Sequence, residues 1–243
     1  RRRRPSGAFA QEIPQMRARH ILPGIIFLAV ATATAATPEP SPASADPISA
    51  TMTARNAGSA QWFFAMAPDD VLPLLPANTR LDMLDYYNSG VHRESADASG
   101  ARAVVTGSSD RSLRFEVGDT CRFEIDVFPA GSDTLVALIE TIAYPMRDSR
   151  IQWFDSRWQP ARKALEEPSL ADWLTPDGRK HRAEVEEMNP FITYEATADA
   201  VRGVITLRNT METYFLPQDR ADAIGDYMHP ELVYRLKGKR FVR

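Results

Sequence analysis

The fold is decided by residues 113–155, which read LRFEVGDTCRFEIDVFPAGSDTLVALIETIAYPMRDSRIQWFD. Polar and apolar side chains alternate along residues 112–117 and again along residues 121–127, on either side of the turn signal Gly118-Asp119. This period of two is typical of β-strands with one face in the core and the other in solvent. The alternation predicts buried Phe115, Phe123 and Ile125, and exposed Arg114, Glu116, Glu124 and Asp126.

Two further strands complete this part of the chain. Residues 135–143 form a nearly continuous apolar run, which suits a strand covered on both faces and makes it the predicted central strand. Residues 150–155 return to alternation, with Ile151 and Trp153 on one side and Phe154 on the other. We therefore expect a meander of antiparallel strands with one face that needs cover.

A helical segment before the meander can supply that cover. Asn78 or Thr79 can cap a helix that carries apolar residues at a spacing of three and ends at Gly90. Together with the proline-interrupted residues 70–76, this helix is predicted to lie over the apolar face of the meander.

The C-terminal third of the sequence predicts a helical connection followed by more strands. Short helical turns are expected at residues 161–165 and 170–174, because prolines interrupt the polar stretch that contains them. The remaining expected elements are strands 191–196 and 203–208 joined by loop 197–200, helix 217–224, and a last strand at 232–236, after which a turn at 237–238 leads into residues 240–242. This order predicts the α+β class: an antiparallel meander sheet with helices packed on one face.

The N-terminus has the pattern of an exported protein. We expect an upstream extension at residues 1–15 and a signal peptide at residues 16–35, because a cationic start at Met16 precedes an apolar run and a small-residue cleavage pattern. An uncleaved anchor is the alternative, but the run is shorter than the roughly 20 apolar residues that span a bilayer, so no membrane span should remain after cleavage. A Pro/Ser/Ala-rich tether follows at residues 36–60, and a single α+β domain is expected at residues 61–243.

Charge limits the class of partner. Residues 1–36 hold six of the 29 basic and one of the 32 acidic residues, which leaves 23 basic, 31 acidic and a net charge of −8 after cleavage. Binding to nucleic acid depends on Lys and Arg that neutralise phosphates, so nucleic acid is not an expected partner. The single cysteine, Cys121, rules out an internal disulfide.

Three motifs resemble a family. Residues 64–75 and 78–87, which include FAMAPD and NTRLDMLDYY, residues 148–160, DSRIQWFDSRWQP, and residues 234–241, YRLKGKRF, are similar to an uncharacterised family of exported Bacteroidetes-type proteins known only as a domain of unknown function. The resemblance spans residues 62–242. It implies export and one mixed α/β domain, with no activity and no catalytic residues to carry over.

No familiar catalytic or cofactor motif is present in the sequence. G-x-S-x-G, a Gly-rich phosphate loop, H-E-x-x-H and C-x-x-C are all missing, so no cofactor or metal is expected. His92, His181 and His229 lie far apart in the sequence. Asp82 and Asp85 stand three residues apart and could work as a carboxylate pair, although solvation explains them more simply.

Three other residues are predicted to pack in the core or to bind a ligand, not to catalyse a reaction. Cys121 alternates with Phe123 and is expected to be a buried apolar residue. Phe154 and Trp158 at the end of the meander are candidate binding residues for sugar or peptide, with core packing as the favoured alternative.

Two functions of different class fit these observations. The first is an exported, periplasmic or secreted, non-catalytic binding domain whose partner is an envelope protein or a glycan or peptide ligand. The alternative is a carboxylate-dependent hydrolase of unrecognised type that uses Asp82, Asp85 or a loop aspartate.

Overall fold

The computed structural model describes residues 57–91, 93–144, 146–188, 191–211, 222 and 225–243. These residues belong to one compact unit, 45–243, and the preceding unit, 1–44, lies outside the described residues. The predicted upstream extension, signal peptide and most of the tether therefore also lie outside them. In the described ranges, no helix has the length and apolar composition that a membrane span requires.

The helices are short and the strands are all antiparallel. The helices are α1 Ala60–Ala65, α2 Ala77–Ser89, α3 Leu170–Trp173 and α4 Arg182–Met188. The first sheet contains β1 Ser95–Ala96, β2 Arg102–Ser108, β3 Ser112–Val117, β4 Cys121–Ala130, β5 Asp133–Ile142 and β6 Asp148–Asp155, paired in chain order. The second sheet contains β7 Tyr194–Asp199, β8 Val204–Asn209, β9 Glu231–Lys237 and β10 Arg240–Val242, also paired with chain neighbours. The predicted α+β class is confirmed.

One face of the first sheet is covered by the N-terminal helices, as the sequence predicts. Phe63 and Phe64 of α1 and Met83 of α2 pack in one core with Phe115 and Ile125. Helix α2 begins at Ala77, one residue after Pro76, so neither Asn78 nor Thr79 caps it. Gly90 ends it in a left-handed conformation (φ 69°), which glycine adopts without steric cost.

The buried side chain of Arg80 holds the loop that joins the two helices. It donates to the backbone carbonyls of Ala67 and Leu75 and pairs with Asp69 at 3.1 Å. This contact links two of the sequence motifs, residues 64–75 and 78–87, and gives them a structural role.

The second sheet covers the opposite face of the first sheet, and this corrects part of the predicted register. Phe115 and Ile125 are fully buried and Arg114 is exposed, as expected, but Glu124 and Asp126 are buried as well. Phe128 lies on the side of β4 that was predicted to face solvent. It packs in the core that the first sheet forms with the second sheet. Alternation identified the two sides of β4 but could not show that both are covered.

Three other expectations change in detail. The strand at residues 135–143 is covered on both faces as β5, but it is second from the sheet edge, not central. Strand β2 was not predicted, and β7 continues through residues 197–199, which were expected to be loop. The helix predicted at residues 217–224 lies outside the described residues except at Asp222.

Candidate functional site

Both aromatic binding candidates lie in the core. Phe154 and Trp158 are each only 6% exposed, and their rings meet edge to face at 5.0 Å. Trp158 also contacts Phe63 of α1, with ring centroids 6.1 Å apart. This burial is what the packing alternative expects, and a binding role for either residue stays a prediction.

Trp158 occupies an unusual backbone position in the turn after β6. Its φ of 60° lies in the left-handed region, which is costly for a residue with a side chain. Asp155 stabilises the turn, because its carboxylate accepts hydrogen bonds from the backbone N–H groups of Arg157 and Gln159 at 2.8 Å. The turn directs the Trp158 side chain back beneath α1.

The other candidate residues do not form a site together. Asp82 and Asp85 are exposed on α2, and Cys121 is half-buried, not fully buried as expected. The His181 ring stacks on Tyr227, whereas His229 is half-buried and has a pKa lowered by burial; His92 lies outside the described residues. Among the residues that the structure describes, no three His, Cys, Asp or Glu side chains are placed to hold a metal ion.

A cleft beside β6 is the best candidate for a ligand site. Its volume is about 820 Å³, and its walls come from β6, residues 160–167, and residues 192 and 194. This volume falls within the range typical of ligand pockets. We call it the β6 cleft.

The edge of β6 that faces this cleft carries backbone groups that no described strand pairs with. Among the described strands, β6 is the last of its sheet and pairs with β5 alone, apart from an isolated bridge between Phe154 and Pro160. On its outer side, the Trp153 carbonyl accepts from Ala161 N–H, and Asp155 N–H donates to the Gln159 carbonyl. Backbone groups of alternate residues in an antiparallel strand point to the same side, so the N–H and C=O of Ile151 also point outward. No described strand pairs with them there.

The rim of the β6 cleft carries charges of both signs. Arg150 and Arg162 contribute positive charge; Asp148, Glu166 and Glu167 contribute negative charge. Burial raises the pKa of Asp148, although N–H groups of Tyr194 and Ser149 act in the opposite direction. Burial also raises the pKa of Tyr194 to about 12, so its hydroxyl stays neutral at physiological pH.

A family model described as "Protein of unknown function (DUF3256)" matches residues 52–241. The chain belongs to the DUF3256 family. The DUF3256 chain is also similar to the solved structure of a domain of an uncharacterized protein from Porphyromonas gingivalis W83. That match has a TM-score of 0.64 at 18% sequence identity, and covers 77% of this chain and 98% of the other. No curated protein matches the DUF3256 chain.

These matches confirm the coarse part of the resemblance noted in the sequence. The family is one of unknown function, and the structural match comes from a Bacteroidetes species. At 18% identity the similarity concerns the fold alone. The export of the DUF3256 chain stays a prediction.

Phe154, a binding candidate from the sequence, lines the β6 cleft, but it was predicted as an aromatic stacking surface and not as part of a strand edge. The cleft depends on which strand lies at the sheet edge and where residues 160–167 return, and neither is encoded by local alternation. One signal was available in the DUF3256 sequence. Pro160 follows the strand closely, and proline cannot donate a hydrogen bond to a neighbouring strand, which indicates an edge.

Proposed function

We propose that the DUF3256 chain is an exported, non-catalytic binding domain, and that its ligand is an extended peptide that pairs with the open edge of β6. The observation that carries the proposal is the outward-pointing backbone of Ile151, which faces a cleft of about 820 Å³. An extended peptide adds a strand to such an edge, where main-chain hydrogen bonds supply affinity and neighbouring side chains supply specificity.

The part of the β6 edge left uncovered by described residues limits how many main-chain hydrogen bonds a peptide can form. Ser149 Oγ already accepts a hydrogen bond from Ala196 N–H of β7, and residues 159–161 cover the other end of β6. Pairing is thus centred on Ile151, with two main-chain hydrogen bonds to the ligand. The mixed charges of the rim favour a ligand that carries both signs of charge.

The cleft suits a peptide better than a glycan. Sugar rings are bound by stacking on exposed aromatic faces. Trp153 and Phe154 line the cleft, but both are buried. The available chemistry is therefore backbone amide and charged side chains, which matches a polypeptide.

Replacing Ile151 with proline tests strand pairing directly. The change removes one outward N–H and leaves the pairing with β5 intact, because that N–H points away from β5. We expect peptides selected from a random library on the full chain to bind Ile151→Pro about tenfold more weakly, as measured by fluorescence polarisation. Ile151→Val is the matched control, since it keeps the N–H, and should bind as the unmodified chain does. Equal binding by Ile151→Pro, or failure to select any peptide, would contradict the proposal.

The hydrolase alternative has one observation in its favour. Asp148, Glu166 and Glu167 line the same cleft, and burial raises the pKa of Asp148, as is common for a general acid. The same library experiment separates the two functions. Release of cleaved peptide by the full chain, instead of retention of intact peptide, would support the hydrolase.

The proposed export predicts where the mature protein begins. If residues 16–35 are a signal peptide, the exported protein should begin at or near Ala36. N-terminal sequencing of protein recovered outside the cytoplasm measures this. A membrane-bound chain that still begins at Met16 would show that the segment is an anchor.

A further inference from the structure

The side chain of Ile151 presents an apolar surface at the edge of the first sheet. Across the sheet, Ile151 pairs with Ile139 of β5, which is fully buried in the core that contains residues of both sheets. Ile151 packs against the same core but is only half-buried, because no described strand lies on its other side. This row of apolar side chains therefore ends at the β6 cleft.

Leu165 and Ile192 add to this surface from outside β6. Leu165 lines the cleft and packs, half-buried, against the same core as Ile151. Ile192 also lines the cleft and is 36% exposed. We call Ile151, Leu165 and Ile192 the aliphatic site. Covering it with an apolar side chain of a ligand is favourable, because apolar surface of all three residues is then removed from water.

Carboxylates also lie near the aliphatic site. Glu166 and Glu167 follow Leu165 in the chain and are exposed. Burial, and after it the charges of Glu167 and Asp148, raise the pKa of Tyr194, so both carboxylates lie near that ring. A cationic side chain is therefore the competing occupant. Exposed ion pairs contribute little, and the two arginines of the cleft rim oppose a cation, so the apolar occupant is favoured.

We propose that the aliphatic site selects the central residue of the bound peptide, and that this residue is leucine, isoleucine, valine or methionine with a polar residue on each side. The inference rests on the proposed pairing with β6 and specifies its ligand. A residue directly opposite Ile151 on an added strand has its side chain on the same face of the sheet as Ile151. Its two neighbours lie on the other face, beside the polar side chains of Arg150 and Gln152.

Two adjacent residues of the chain provide a matched test. Ile192→Asp places a carboxylate in the aliphatic site, whereas Phe191→Asp places one at a side chain that is 68% exposed and does not line the cleft. We expect peptides selected from a random library on the full chain to share one apolar residue, and its replacement by alanine should weaken binding about tenfold by fluorescence polarisation. Ile192→Asp should weaken binding of the same peptides about tenfold, and Phe191→Asp should leave it unchanged.

A second selection, on the Ile192→Asp chain, gives a readout that does not depend on loss of binding. Its peptides should carry lysine or arginine where the first set carries the apolar residue, because the new carboxylate favours a cation. A shared lysine or arginine in the first set, or equal binding by the Ile192→Asp and Phe191→Asp chains, would overturn the inference.

The Ile151→Pro variant separates this failure from failure of strand pairing. If Ile151→Pro weakens the selected peptides but they share no apolar residue, strand pairing holds and the inference about the aliphatic site is wrong. If Ile151→Pro has no effect, or no peptide is selected, strand pairing is wrong and the inference is overturned with it.

Discussion

Replacing Trp158 with alanine is expected to lower the free energy of unfolding by about 3–5 kcal/mol. The indole is 6% exposed and fills the space between Phe63 and Phe154. Removing it leaves a cavity under α1 that the surrounding β-sheet cannot collapse to fill. Urea denaturation followed by circular dichroism measures the change.

Two further variants show whether the loss of stability comes from the buried indole of Trp158. Trp158→Gly should be no less stable than Trp158→Ala, because glycine relieves the cost of the left-handed backbone (φ 60°). Phe191→Ala is the control for loss of an exposed aromatic, since Phe191 is 68% exposed, and should have little effect. A Trp158→Ala variant of unchanged stability would contradict its place in the core and restore it as a binding residue.

The sequence predicted most strands because their alternation is local. Residues 112–117 and 121–127 each show which side chains share a face, and the structure bears this out at Phe115 and Ile125. What covers each face is not local. Glu124 and Asp126 are buried by a second sheet that begins about 70 residues later, so no pattern within β4 could reveal it.

The contacts between the two sheets and the candidate site were harder to predict for the same reason. Glu195 pairs with Arg122, Arg147 and Arg208, and these four residues lie in four separate segments of the chain. In the sequence, each of these charged residues by itself predicts a side chain exposed to solvent. The β6 cleft likewise depends on strand order, whereas Phe154 and Trp158, predicted as binding candidates from their residue type, are buried in the core.

Asp126 should make the protein less stable as the pH rises. Its side chain is fully buried on β4, and neither carboxylate oxygen has a hydrogen bond of normal geometry among the described residues. Burial raises its pKa to about 7; Ser112 and Arg114 act to lower the pKa, and Glu124 and Asp199 act to raise it further. Between about pH 4 and pH 7 the unfolded chain has lost this proton while the folded chain keeps it, so stability falls across that window. The total loss from this group is about 4 kcal/mol.

Asp126→Asn tests this by removing the titration and keeping the shape of the side chain. The unfolding free energy of the variant should fall much less between pH 4 and pH 7 than that of the unmodified chain. At pH 8 the variant should be at least as stable as the unmodified chain, because it buries no charge. Asp119→Asn, at an exposed aspartate in the turn before β4, is the control and should retain the decline. Urea denaturation at each pH gives the measurement. An unchanged pH dependence in Asp126→Asn would mean that Asp126 stays ionised in the folded protein, with Arg114 compensating for its burial.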